Sequence, residues 1–188
     1  MRKAAFLDRD GVLNRKMPEG QYVTRWEEMR FLPGSAEGII LLREVGFRVI
    51  VVSNQRCVAK GLLSVAELES LHSRMCERYA AAGAPLDGVY YCPHDLEPPC
   101  ACRKPAPGLL LEAARNHQID LRTSWMIGDT PSDMEAGRRA GCRTALLQDS
   151  ADSEASLADV VAPSLLEAAQ RILRREQVGA DCSGVACR

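Results

Sequence analysis

Asp8-Arg9-Asp10-Gly11 places two carboxylates two residues apart, directly after the apolar run Lys3 to Leu7. That spacing lets one carboxylate point along a sheet axis into a crevice while the other leans over it, where each can exchange protons with a bound ligand. Gly11 lets the chain turn with its backbone close to that ligand. Three more polar clusters also occur. Ser53-Asn54-Gln55 offers a hydroxyl and amides to an anion, and Arg103-Lys104-Pro105 supplies cations. Gly128-Asp129-Thr130-Pro131-Ser132-Asp133 returns two carboxylates. Taken singly, each cluster reads as a turn, a solvated loop or a helix cap.

A second kind of chemistry sits between these clusters. Cys92-Pro93-His94 and Cys100-Ala101-Cys102 form a Cys-x-His-x5-Cys-x-Cys array. One imidazole and three thiolates suit tetrahedral zinc with no open position, hence a structural site. The competing reading is buried thiols beside a surface histidine. The spacing within each pair is tighter than in common zinc fingers. Pro93, Pro98 and Pro99 stiffen the segment, and Arg103-Lys104 follow its last thiol, so a zinc there fixes the loop that presents both cations. Of the eight cysteines, Cys57, Cys76, Cys142, Cys182 and Cys187 are dispersed and read as small buried hydrophobes or tail residues. An even cysteine count suggests disulfides mainly in short secreted chains, and no secretory apolar stretch follows Met1-Arg2-Lys3.

The elements that must position these groups follow from periodicity. Lys3 to Leu7, Arg48 to Val52, Val89 to Tyr91, Ser124 to Ile127, Arg143 to Leu147 and Asp159 to Val161 read as short buried strands. Helices are expected from Ser35, acting as cap, to Val45 with Gly46 as stop, and from Ser64-x-x-Glu67 to near Gly83. Others are expected over Gly108 to His117, Met134 to Ala140 and Ser164 to Arg175. Residues 11–34 read as a long loop or flap. Alternating strands and helices imply an α/β, Rossmann-like doubly wound sheet, mainly parallel, with helices on both faces. In such sheets ligands sit beyond the carboxyl ends of the strands, where Asp8, Ser53 and Asp129 would converge. His72 and His117 fall on expected helices and read as surface residues, Trp26 as flap and Trp125 as core.

Length and charge set the outer bounds. The chain has 188 residues, 46% hydrophobic and 26% charged, which favours one domain over 1–176 followed by a flexible tail, 177–188. A net charge of −1 argues against nucleic acid and polybasic membrane binding. The arginine excess over lysine is scattered along the chain and marks no binding surface. No apolar run is long enough to span a bilayer. A cytoplasmic, monomeric protein is expected.

The four polar clusters, in this order and at these strand ends, resemble the motifs of the haloacid-dehalogenase-like phosphatases over Ala5 to about Leu147. The resemblance implies phosphoryl transfer, which needs an in-line nucleophile, a metal and fixed positive charge. On it, Asp8 attacks phosphorus, Asp10 acts as acid and then base, and Ser53 and Lys104 hold the phosphoryl oxygens. Asp8, the main-chain carbonyl of Asp10, and Asp129 hold magnesium, with Asp133 behind them. The Cys92, His94, Cys100 and Cys102 array before Arg103-Lys104-Pro105 resembles the subgroup of heptose 1,7-bisphosphate 7-phosphatases and histidinol-phosphate phosphatases. That subgroup has structural zinc and no large cap domain, and its substrate here is read as a phosphorylated sugar. Arg9, Asn54, Gln55, Arg56 and Arg103 are then expected at the substrate. The run Phe6 to Asn14, Tyr22-Val23 and Phe31-Leu32-Pro33-Gly34 lean towards the heptose enzymes. A histidinol-phosphate phosphatase and an inactive zinc-stabilised binding module are the alternatives. Two departures stand out: Arg56-Cys57-Val58 where the family shows Ser-Gly-Ile, and Thr130 where heptose enzymes often carry lysine.

Overall fold

Apolar runs without polar interruption form strands buried on both faces. The computed structural model describes residues 1–148 and 158–182. Its six parallel strands are β1 (Lys3–Leu7), β2 (Phe47–Asn54), β3 (Gly88–Cys92), β4 (Trp125–Gly128), β5 (Arg143–Leu147) and β6 (Val160–Ala162). They lie in the order β3-β2-β1-β4-β5-β6, so β1 is central and the order reverses between β1 and β4. The helices are α1 (Ser35–Glu44), α2 (Val65–Ala81), α3 (Gly108–His117), α4 (Pro131–Ala140) and α5 (Leu165–Cys182).

Period-two alternation divides the core. Ala5 and Leu7 of β1 and Val49 and Val51 of β2 face α1, α2 and α5 through Ile39, Leu42, Leu68, Met75, Ala168 and Ile172. Ala4, Phe6, Ile50 and Val52 face the other way, onto Leu109, Leu110 and Ala113 of α3 and Ala136 of α4. Each fully buried Leu, Ile or Phe contributes roughly 1.5–3 kcal/mol. Helices on both faces of one parallel sheet make the doubly wound α/β fold. Among the described residues no helix is long and apolar enough to cross a membrane.

Local signals set most boundaries. The Ser64 hydroxyl accepts from Glu67 N at 3.2 Å while Glu67 accepts from Ser64 N at 2.8 Å, the reciprocal cap expected for α2. At α1 the expectation is corrected: Gly34, with φ of +76°, is the cap, and Ser35 is already helical. The Ser35 hydroxyl instead donates to Leu32 O at 2.8 Å, tying the 11–34 segment to the helix. α5 runs to Cys182, beyond the Arg175 expected from its apolar stripe. Residues 183–188 of the expected tail, with Cys187, lie outside the described residues. Trp125 is fully buried, as expected, whereas Trp26 packs edge-on to Phe31 at 5.7 Å within the 11–34 segment.

Candidate active site

Because Leu7 pairs with Ile127, β1 and β4 leave the sheet side by side and deliver Asp8 and Asp129 to one crevice. Asp8 N donates to Ile127 O at 3.0 Å, which holds the first turn to β4. Gly11 has φ of +94°, and a Cβ there would lie 2.4 Å from the Asp129 carboxylate. A Cβ on Gly128 would lie 2.3 Å from Asp133. Close approach therefore demands both glycines, and at Gly11 the left-handed turn demands one as well.

Lys104 is the electrostatic hub. Its ammonium is buried and lies 2.9 Å from Asp8 Oδ1, 2.6 Å from Asp133 Oδ1 and 2.9 Å from Val52 O. Burial alone would lower its pKa, but Asp133 and Asp8 more than reverse that and fix the positive charge. Asp8 is pushed up to about 7: burial dominates, Lys104 opposes it, and Asp133 and Asp10 add to it. Asn54 clamps the backbone of Lys104, accepting from its N–H at 3.0 Å and donating to its carbonyl at 3.1 Å. That reciprocal pairing fixes the height of the ammonium against the end of β2.

Asp10 has the opposite environment. Its Oδ1 accepts from Asn14 Nδ2 at 2.8 Å and from Arg9 Nη2 at 3.1 Å. Its Oδ2 accepts from Arg9 Nη2 at 2.9 Å and from Gln55 Nε2 at 3.0 Å. Burial would raise its pKa, but Arg9, Asn14 and Gln55 together hold it below the ordinary carboxylate range. Gln55 Nε2 also donates to Ser53 Oγ at 2.7 Å, linking two expected site residues. Behind Arg9 lies a residue that the sequence reading misplaced. His72 is 5% exposed, not a surface group, and its Nε2 lies 3.2 Å from Arg9 Nη1. The signal was present in α2: Leu68, Leu71, His72, Met75 and Tyr79 share one buried stripe.

These groups open into a cavity of about 290 Å³ lined by Asp8, Arg9, Asp10, Ser53, Asn54, Gln55, Arg103, Lys104, Thr130, Ser132 and Asp133. Its far wall is the flap from Lys16 to Val23. Lys16, which sequence reasoning did not single out, reaches Asp129 Oδ2 at 2.6 Å. Arg56 is placed apart from the other expected site residues. Its Nε is 2.5 Å from Asp95 Oδ1, and the residue does not line the cavity. That acidic partner lies within the Cys/His loop itself, directly after His94.

Two donor sets fit metals. Carboxylate oxygens of Asp8, Asp129 and Asp133 lie within 4.8 Å of one another. Asp129 Oδ1 is buried without a hydrogen-bond partner, which leaves a hard oxygen for a cation such as magnesium. In the other set, the Sγ atoms of Cys92, Cys100 and Cys102 are 3.1–3.5 Å apart. His94 Nδ1 lies 3.5 and 3.2 Å from Cys92 and Cys102. Tetrahedral zinc with bonds of about 2.3 Å to sulfur has edges of roughly 3.8 Å, so the donors already outline such a site. Arg103 follows the last thiol and donates to His94 O at 3.4 Å. Cys57 and Cys142 are buried free thiols, as expected.

A doubly wound sheet with this carboxylate–lysine site at its switch point defines a haloacid-dehalogenase-like hydrolase, a phosphoric monoester hydrolase. A family model described as HAD-hydrolase-like matches residues 101–168. The chain is 40% identical over 153 residues to the D-glycero-beta-D-manno-heptose-1,7-bisphosphate 7-phosphatase of Pasteurella multocida, covering 78% of this chain and 82% of that one. It is 40% identical over 146 residues to the enzyme of that name from Helicobacter pylori, covering 77% and 83%. The D,D-heptose 1,7-bisphosphate phosphatase of B. bronchiseptica, solved with magnesium and phosphate, superposes with a TM-score of 0.82 at 32% identity. It covers 92% of this chain and 99% of its own. The chain belongs to the D-glycero-beta-D-manno-heptose-1,7-bisphosphate 7-phosphatase family.

Proposed function

We propose that the protein removes the 7-phosphate of D-glycero-beta-D-manno-heptose 1,7-bisphosphate through an aspartyl-phosphate on Asp8. The observation that carries the reading is the Asp8–Lys104–Asp133 triad beside Asp10, at the strand tips. A carboxylate oxygen of Asp8 attacks phosphorus, the bond to the sugar oxygen breaks, and Asp10 gives that oxygen a proton. In the second half Asp10 takes a proton from water as the water oxygen attacks phosphorus, freeing phosphate and restoring Asp8. The free site holds Asp10 ionised, which suits the second half. The negative charge of an arriving phosphate raises the proton affinity of Asp10 for the first. Ser53 and the fixed charge of Lys104 bind phosphoryl oxygens as negative charge grows. Magnesium, held by Asp8, the Asp10 carbonyl and Asp129, supplies further charge neutralisation when bound.

Zinc on Cys92, His94, Cys100 and Cys102 fixes the loop that carries Arg103 and Lys104. Arg103, half-buried at the cavity wall, anchors the retained 1-phosphate. Arg56, paired with Asp95, stands outside the cavity. Arg9, Asn54 and Gln55 serve the substrate indirectly, through Asp10 and Lys104. Nothing in the geometry favours a histidinol phosphate, and an inactive binding module has no use for an interlocked nucleophile and acid–base pair. The test is phosphate release from heptose 1,7-bisphosphates, histidinol phosphate and simple sugar monophosphates. The heptose bisphosphate should give the highest kcat/KM. Preference for histidinol phosphate overturns the substrate and leaves the mechanism standing.

A further inference from the structure

We propose that His72 is a positioning residue for the reaction: by accepting a hydrogen bond from Arg9, it fixes the guanidinium that in turn orients the carboxylate of Asp10. The proposal rests on the reading of Asp10 as the acid–base group. Arg9 is 1% exposed, so every N–H it carries must find a partner or stay unsatisfied in the interior. Nη2 reaches both oxygens of Asp10, at 3.1 and 2.9 Å, and Nη1 reaches His72 Nε2 at 3.2 Å. Nε has no hydrogen-bond partner. The guanidinium therefore has one carboxylate on one side and one imidazole on the other, and its plane is set by both. With Asp10 alone, Nη1 would lose the partner that it has in the interior.

The chemistry of the pair fixes the state of the ring. A guanidinium has no acceptor, so His72 Nε2 must accept, and the proton of the neutral ring sits on Nδ1. A second positive charge against Arg9 is excluded by the same contact. Burial, and then Arg9 itself, push the imidazole pKa down to about 3, with Asp10 opposing. His72 thus stays neutral where an ordinary histidine would titrate. Its ring is also braced from β3, where the Tyr91 ring packs tilted against it, at 5.3 Å between centroids and 58° between planes. The Tyr91 hydroxyl donates to Glu69 Oε1 at 2.9 Å, back on α2. Arg9, Asp10 and, beyond Tyr91, Glu69 are the charged groups around it. A helix on one face of the sheet thereby reaches the acid–base carboxylate through one buried cation.

If His72 acts through Asp10, its loss should matter most where the leaving oxygen needs a proton. Values of kcat/KM for the magnesium-loaded enzyme, which report only the steps up to departure of the leaving group, are to be compared on an alkyl sugar phosphate and on p-nitrophenyl phosphate, whose leaving group departs unprotonated. His72→Leu should lose about ten- to a hundredfold in kcat/KM on the sugar phosphate, the scale of a small misplacement of a catalytic group, and only a few-fold on the aryl ester. His72→Gln keeps a carbonyl acceptor for Arg9 and should recover most of the loss. Asp10→Asn is the reference. If it shows no dependence on leaving group, the acid role of Asp10 falls and the proposal with it. If it does and His72→Leu loses equally on both substrates, the proposal alone is overturned and His72 is a packing residue. Should His72→Leu fail to fold, the ring nitrogens of the wild-type protein decide. Nitrogen NMR should show Nδ1 protonated and Nε2 bare, with no titration from about pH 5 to 8. A ring that titrates in that window, or carries its proton on Nε2, overturns the proposal.

Discussion

The carboxyl of Asp8 is harder to ionise than an ordinary aspartate: burial, with the neighbouring Asp133 and Asp10, outweighs the ammonium of Lys104 2.9 Å away. Folding and catalysis therefore ask opposite things of it, since the nucleophile must be ionised. Its folded pKa, about 7, lies above the ordinary 3.8, so between those values the native state binds more protons than the unfolded one. Stability from this group is present at low pH and falls as pH rises through that window. Asp8→Asn should thus abolish turnover by several orders of magnitude. It should also stabilise the metal-free protein at pH ~8 by about 1 kcal/mol or more, with no gain near pH 4. Denaturant melts at the two pH values check this, and equal shifts would contradict it. Arg103→Ala should cost about ten- to a hundredfold in kcat/KM on a bisphosphate, because a charge-assisted contact to phosphate is worth ~1.5–3 kcal/mol. A monophosphate should be far less affected, and equal losses would place Arg103 at the reacting phosphate. Arg56→Ala should change neither, since the guanidinium is committed to Asp95. Asp8, Ser53 and Asp129 were legible as a converging set because each ends an expected strand, while the roles expected of them, of Asp10 and of Lys104 came from the order of the four clusters and the resemblance it carries. His72 was not, since one histidine in a helix names no partner until the sheet brings Arg9 to it.

Between residue and molecule, the loops decide what the strand tips can present. The strands and helices were legible because their period-two and 3.6-residue patterns are carried by local apolar residues. The path of residues 11–34 was not, because its contacts are made at a distance: Lys16 to Asp129, and Tyr79 Oη to Leu13 O at 3.1 Å. The same holds for Arg56, whose partner is 39 residues away in sequence. The 92–104 loop meets the core through buried Cys92 and through Cys100 and Cys102 packed against it, so its shape depends on the same thiols that, with His94, form the metal-type cluster. The protein purified without added zinc should contain about one zinc per chain. Cys100→Ala/Cys102→Ala should lose that metal and most activity, although neither side chain lies at the reacting phosphate. Metal analysis and kcat read this directly, and stoichiometric zinc in the double variant would remove the site. Asn54 is what such a loss would leave behind, still clamping the Lys104 backbone to β2.

Across the whole molecule, the β3-β2-β1-β4-β5-β6 order brings carboxylates from opposite sides of the switch point together. Asp8 arrives from β1, and Asp129 and Asp133 from the turn and helix after β4, with oxygens within 4.8 Å. Folding thus concentrates negative charge that the buried ammonium of Lys104 and the half-exposed one of Lys16 only partly balance. Burial raises the pKa of Asp129 despite Lys16, a sign that its charged form is still disfavoured. A divalent cation bound here must therefore stabilise the fold as a whole, since it binds the assembled site and not the unfolded chain. At one hundred times its dissociation constant a ligand adds about 2.7 kcal/mol. For a chain of this size that corresponds to roughly 5–11 °C in Tm. Thermal melts with increasing magnesium should show that rise with logarithmic dependence on concentration. Asp129→Asn should remove most of the magnesium response and, by relieving the repulsion, raise the Tm of the metal-free protein. A Tm that ignores magnesium in the wild type, or responds equally in Asp129→Asn, would show that the three carboxylates are held by their lysines alone.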